Sequence, residues 1–161
     1  MKAKFVSENI EFQRGRDPKQ TLGIGKVAQI DQWFEKWAPN TGYEIDDDLN
    51  IHVKGHLFLV GLNVTSLPDN LKVGGSINLC HSDVTSLPDN LIVNGGLHLR
   101  NTSIVSLPDD LKVGGDLDLS DTQITSLPDN LKVGWNLYLE DTKITSLPDN
   151  LKVSGTIYKN F

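Results

Sequence analysis

The amino-acid sequence predicts a mainly β repeat solenoid, with parallel strands on one face and extended or 3₁₀ return segments, behind an N-terminal α/β cap. Three observations predict it. Twenty of the 22 leucines and five of the seven prolines of this 161-residue chain lie after residue 51. The block Leu67-Pro68-Asp69-Asn70-Leu71 returns at 87–91, 107–111, 127–131 and 147–151, with Asp110 its only departure. Two apolar columns keep the same 20-residue step: Val64, Val84, Ile104, Ile124, Ile144, and Val73, Val93, Val113, Val133, Val153. Periods of this length mark units that bury their apolar faces only against their neighbours.

Residues 1–51 do not repeat and form the cap. Phe5, Val6, Ile10 and Phe12 suggest a short strand or extended arm, and Arg14-Gly15-Arg16-Asp17-Pro18 a turn. From about 26 to 38, Val27, Ile30, Trp33, Phe34 and Trp37 recur at helical spacing, an amphipathic stripe that Pro39 ends. A solenoid end exposes raw core, so this helix is expected to cover the first repeat. Tyr43-Glu44-Ile45 and Leu49 to Val53 then pair as strands leading into it. Leu22-Gly23-Ile24-Gly25-Lys26 lacks the spacing of a phosphate loop, and Asp46-Asp47-Asp48 reads as a solvated turn before it reads as a cation site.

Five full repeats and a partial sixth follow over residues 52–161. In Gly115-Asp116-Leu117-Asp118-Leu119-Ser120 leucines alternate with polar residues, as in a short strand with one buried face. Thr122 offers a hydroxyl to the backbone where the chain turns. Ile124 and Leu127 point back inward, and Pro128 keeps the return path extended or in a single 3₁₀ turn. Gly114-Gly115 supplies the tight bend into the strand.

This pattern, L-x-L-x-x-T-x-I-T-S-L-P-D-N-L, resembles the short leucine-rich repeats of bacterial effector proteins. Two positions depart from that family. Its asparagine is Thr102, Thr122 and Thr142 here, with Ser82 and Leu62 in the earlier copies. Its first leucine falls on residues 54, 74, 94, 114, 134 and 154, none of them apolar, which moves the contact one residue back to the valine column. The resemblance implies a leucine-rich solenoid whose strand face binds a protein; a β-helix-like 20-residue coil is the alternative cross-section. The style of the chain also suggests a bacteriophage or mobile element as its source.

Composition excludes several classes. A net charge of −6 and a pI near 5.1 are the wrong sign for direct nucleic-acid binding. The lone Cys80 provides neither an internal disulfide nor a structural zinc site. No stretch has the ~18 apolar residues of a membrane span, and the start has no apolar signal-peptide core. The expectation is a cytoplasmic protein of a bacterium or infected bacterial host, with leaderless export as an alternative, and with no cofactor or metal. Cys80 and His98 lie on adjacent strands with no acid placed to orient them, so a non-enzymatic role is expected. The enzymatic relatives carry a separate ligase domain after their repeats.

The variable columns locate the expected partner site. The middle residue of each L-x-L runs Phe58, Asn78, His98, Asp118, Tyr138, Tyr158. The positions two before and two after it also vary, and all three columns face away from the core. Asp116, Asp118 and Asp121 make an acidic centre beside His98 and Arg100, with Glu140 in the following repeat. Trp135 replaces a repeat glycine, and Tyr138 and Tyr158 should be lateral neighbours. Exposed aromatics beside charge have the composition of interface hot spots. The expected function is protein binding through this face. Alternatives are an acidic decoy or inhibitor of a nucleic-acid-handling or immune protein, and a self-assembling structural protein. The aspartates at 69, 89, 109, 129 and 149 are matched three residues on by lysine in every copy but the second, where Ile92 intervenes, a pattern of partial charge compensation. The sequence stops in the sixth copy with Lys159 where leucine is expected. That suggests an open last strand, blocked by Lys159 with Phe161 folded over the core, or paired with a second copy as a homodimer.

Overall fold

The computed structural model describes the backbone of residues 18–160 and the side chains from Gly25 onward. The arm expected at residues 5–12, the turn expected over 14–18 except Pro18, and Phe161 lie outside the described residues. Helix α1 spans Pro18–Trp37 and so begins well before the expected start near residue 26. Its first turn carries no apolar stripe to reveal it, whereas Pro18 suits a first helical position, where no N–H partner is needed. Gly23, Gly25 and Lys26 lie inside this helix, not in a phosphate loop.

The chain then builds coils of 20 residues. Each coil has two very short strands and an extended return. Strand β1 (Tyr43–Ile45) belongs to the cap. The first strands of successive coils are β2 (Ile51–Val53), β4 (Leu71–Val73), β6 (Ile92–Val93), β8 (Lys112–Val113), β10 (Lys132–Val133) and β12 (Lys152–Val153). The second strands are β3 (Leu57–Phe58), β5 (Ile77–Asn78), β7 (Leu97–His98), β9 (Leu117–Asp118), β11 (Leu137–Tyr138) and β13 (Ile157–Tyr158). They form a seven-stranded sheet, β1-β2-β4-β6-β8-β10-β12, and a six-stranded sheet, β3 to β13. All pairs are parallel and joined at a step of 20 residues, except the antiparallel β1–β2 pair.

Parallel strands therefore occupy two faces rather than the single face expected, and the cross-section is β-helix-like. The cause is the valine column. Val73, Val93, Val113 and Val133 are buried on the inner side of the first sheet, so the Lys–Val pair is a strand of its own. A corner built on residues such as Gly74-Gly75 and Gly114-Gly115 separates the two sheets. There the N–H groups donate to the preceding coil, Gly95 to Gly75 O at 2.9 Å and Gly115 to Gly95 O at 2.9 Å. Past the corner the direction reverses, and Leu97 N–H donates to Asp116 O of the next coil at 2.8 Å. A Cβ at Gly115 would come within 2.8 Å of Gly95 C and Gly96 N, and one at Gly134 would run into the Gly114 carbonyl.

The return segments are extended, as expected. Each ends in a turn over Pro-Asp-Asn/Asp, where Leu111, Leu131 and Leu151 N–H donate to Pro108, Pro128 and Pro148 O. Asn70 and Asn90 take the left-handed conformation, with φ of 55° and 60°. The core is a stack of apolar columns running through Leu71, Val73, Ile77, Leu79, Val84 and Leu87 and their equivalents. The cap helix closes the first coil with buried Phe34 and Ala38, backed by half-buried Ile30, Trp33 and Trp37. Phe34 stacks on Tyr43 at 3.9 Å, and Tyr43 OH donates to Asp31 Oδ1 at 2.5 Å, tying the hairpin to the helix. Burial first, and then Asp31, push the Tyr43 phenol well above its ordinary range. Trp33 Nε1 donates to Ser66 O, fastening the helix to the first return segment.

The threonines of three coils pair with the backbone of the turn after the second strand. Thr102, Thr122 and Thr142 Oγ1 donate to the carbonyls of Leu99, Leu119 and Leu139, at 2.7, 2.6 and 2.9 Å. Ser82 occupies the same place, 4% exposed, but its Oγ has no partner among the described residues. Removing a hydroxyl should therefore matter at one position and not the other. Thr122→Ala is expected to cost about 1–3 kcal/mol in denaturant unfolding, by leaving a buried carbonyl unpaired, while Ser82→Ala stays within about 0.5 kcal/mol of the parent. Equal losses would contradict the hydrogen-bond assignment.

Candidate functional site

The outward face of the six-stranded sheet carries the three variable columns. Strand alternation puts Leu117 and Leu119 in the core and Asp116 and Asp118 outside, while Ser120 is directed to the same face but is buried there. Lateral register aligns Asn78, His98, Asp118, Tyr138 and Tyr158 as one ladder, each coil adding about 4.8 Å.

At the C-terminal end of this ladder the Tyr138 and Tyr158 rings stack at 4.7 Å with 5° between their planes. Trp135 occupies the corner bordering the face and is 65% exposed. Trp135 N–H still donates to Gly115 O, and Gly155 N–H to Trp135 O, so the indole is added without breaking the backbone ladder. These are the neighbours expected from the repeat.

The acidic centre is more structured than its sequence suggests. Asp121 forms an ion pair with Arg100 at 2.9 Å, a diagonal contact between coils. It also takes the left-handed turn position, with φ 58°, as do His81, Asn101 and Asp141 in their coils. Asp118 Oδ1 accepts Ser120 N–H at 3.0 Å, and Glu140 Oε2 accepts the Ser120 hydroxyl at 3.2 Å. Asp116 Oδ1 accepts Asn136 N–H at 2.9 Å. Tyr138 records the local field: desolvation first, then the Asp116 carboxylate, raise its phenol above the ordinary value. Asp69 and its equivalents are exposed. They form no ion pairs with the lysines among the described residues, where lysine and arginine pair as Lys54–Glu44 and Arg100–Asp121.

One column that varies freely in residue type has a common chemical role. His56 Nδ1 accepts Ser76 N–H, Ser76 Oγ accepts Gly96 N–H, Asp116 Oδ1 accepts Asn136 N–H, and Asn136 Oδ1 accepts Thr156 N–H, all at 2.9–3.0 Å. Each side chain satisfies the backbone donor one coil ahead. Gly96 interrupts this series, having no acceptor for Asp116 N–H. The His98 ring leans over it, with Nε2 2.9 Å from where a Cβ would stand.

The N-terminal end of the face holds a second aromatic group that sequence reasoning did not select. Phe58 is 65% exposed, Val60 is also exposed, and His56 stacks on Phe58 at 5.6 Å. A cleft of about 440 Å³ opens beside them, between the cap and the first coil, lined in part by Trp37, Pro39, Gly55 and Phe58. The available signal was Phe58 itself, an aromatic at a position that is asparagine, histidine or aspartate in the next three coils.

Other chemistry-bearing groups are engaged locally. Asp46 Oδ1 and Oδ2 accept from Asn50 and from Asp48 N–H, and Oδ2 lies 3.1 Å from His52 Nε2. Asn50, then His52, hold that carboxyl well below the usual carboxylate range. Burial raises the half-buried Cys80 thiol, the opposite of nucleophile activation. Among the described residues no three His, Cys, Asp or Glu side chains converge as a metal site, and no helix is long and apolar enough to cross a membrane. Comparison with family models, curated proteins and solved structures finds no match, so the leucine-rich-repeat resemblance rests on the repeat residues alone.

The interrupted acceptor series gives a direct test. Gly96→Ser should restore a bond to Asp116 N–H, displacing the movable His98 ring and needing a shift of a few tenths of an ångström from the Asp116 carbonyl, 3.3 Å from the new Cβ. It is expected to stabilise the protein by about 1 kcal/mol, seen as a raised Tm. A lowered Tm would show that the position needs glycine.

Proposed function

We propose that the protein is a non-enzymatic binding module that holds a protein partner against the outward face of its six-stranded sheet. The observation carrying this reading is Trp135. A large indole stands 65% exposed in a column that is otherwise glycine from residue 55 to residue 155, beside a stacked tyrosine pair. The packing of the coil does not require it, since the glycines of that column make the same backbone bonds. Rigid aromatics with few rotors lose little entropy on contact and dominate interface energies. The resemblance to leucine-rich repeats supports the same face, because that family's strands line its partner-binding surface.

A photo-reactive benzoylphenylalanine at Tyr138 tests the reading against the same probe at Val105, which is 57% exposed on the return segment. The expected result, in an extract of the cells that make the protein, is a discrete heteromeric adduct from position 138 and none from 105. Adducts of equal yield from both positions, or none from 138, would overturn the proposal.

A further inference from the structure

The binding face is charged as well as aromatic, and the two properties meet at one place. Asp116 and Asp118 act on Tyr138, Glu140 follows it by two residues, and no ion pair among the described residues involves any of the three carboxylates. The face's arginine, Arg100, is engaged by Asp121. The three carboxylates are also held in place. Asp116 and Asp118 each commit Oδ1 to a backbone N–H, and Glu140 commits Oε2 to Ser120. Their second oxygens remain as acceptors already oriented by the fold.

Tyr138 supplies the complementary surface. Its ring is parallel to that of Tyr158, one coil further on, so the stacking direction runs along the solenoid axis. One face of the Tyr138 ring is covered by Tyr158. The other is turned toward the coil below, where Asp118 is its register partner. A planar cation lying on that outer π-face would present its in-plane N–H edge toward the sheet, where the second oxygens of Asp116 and Asp118 can accept. Guanidinium suits this arrangement better than ammonium, because it stacks flat on aromatic rings and donates in a fork to carboxylates.

Resting on the protein-binding reading above, we propose that the segment of the partner read at this end of the face is cationic, with an arginine seated between Tyr138 and the Asp116/Asp118 carboxylates. Charge complementarity selects this partner. An acidic or purely apolar segment would leave two oriented carboxylates desolvated without compensation.

The test uses the full chain and the variant D116N/D118N, which keeps both side-chain acceptors for Asn136 and Ser120 N–H and so preserves the local bonds. In ¹⁵N–¹H correlation spectra, a short arginine-bearing peptide should shift the amides of residues 116–118 and 135–140. Replacing its arginines by uncharged citrulline should weaken binding at least tenfold, and replacing them by lysine severalfold. D116N/D118N should lose the arginine preference, and binding to the parent should weaken with added salt. Equal binding of arginine and citrulline peptides, or shifts scattered away from these residues, would overturn the proposal. The crosslinking assay separates the two readings. If D116N/D118N leaves a parental Tyr138 adduct intact, the face binds protein but does not read a cation; if the parent gives no adduct, the broader reading has failed.

Discussion

Backbone contact between coils at the corner is the constraint on which the rest of the structure depends. At the positions of Gly75, Gly95 and Gly115, successive coils approach so closely that a Cβ would meet the backbone of the coil before, and Trp135, which brings a Cβ into that column, makes its bond to Gly115 O at the longer distance of 3.1 Å. The three glycine N–H groups donate directly to the preceding coil at 2.8–2.9 Å. Glycine is used for close approach, since none of these three residues has a positive φ. With the pitch set at one strand spacing, every 20-residue column must become a ladder. Apolar columns merge into a continuous core, threonines seal one carbonyl in each of three coils, and polar side chains outside satisfy donors of the next coil.

The same constraint explains how function fits on so regular a scaffold. The core leaves little latitude, and variation falls on outward positions: the three columns of the strand face, the exposed turn residues such as Asn63, Asp83, Ser103, Gln123 and Lys143, and Trp135. Part of that variation is structural: histidine, serine, aspartate and asparagine all serve as acceptors in one column. What remains after these duties are the second carboxylate oxygens, the Tyr138–Tyr158 stack, Trp135, and Phe58 at the opposite end. A binding surface made from what packing does not use can change without changing the fold. Adjacent coils supply its elements at a fixed step, which is why Tyr138 and Tyr158 stack.

Much of this was legible in the sequence because an exact period turns distance in sequence into distance in space. The Tyr138–Tyr158 pair follows from a separation of 20, and the cap helix over 26–37 follows from its apolar stripe. The second sheet was harder to read. Lys132–Val133 is a two-residue strand, too short for alternation to distinguish it from a bend, and only the burial of the valine column identifies it. The acceptor column was hidden for a different reason: its members share a lone pair and not a residue type. Asp121 looked like part of a free acidic cluster because its bond to Arg100 runs diagonally, at a separation of 21.

If the coil is the unit of stacking, a whole coil is removable and half of one is not. Denaturant unfolding of a chain lacking Asn101–Ser120, which joins Arg100 to Asp121 in the repeat register, measures this most directly. The account predicts a single cooperative transition, with an m-value lowered by about the share of surface that one coil buries. A chain lacking only 101–110 should show no cooperative transition. An unfolded coil deletion, or equal tolerance of both deletions, would contradict it.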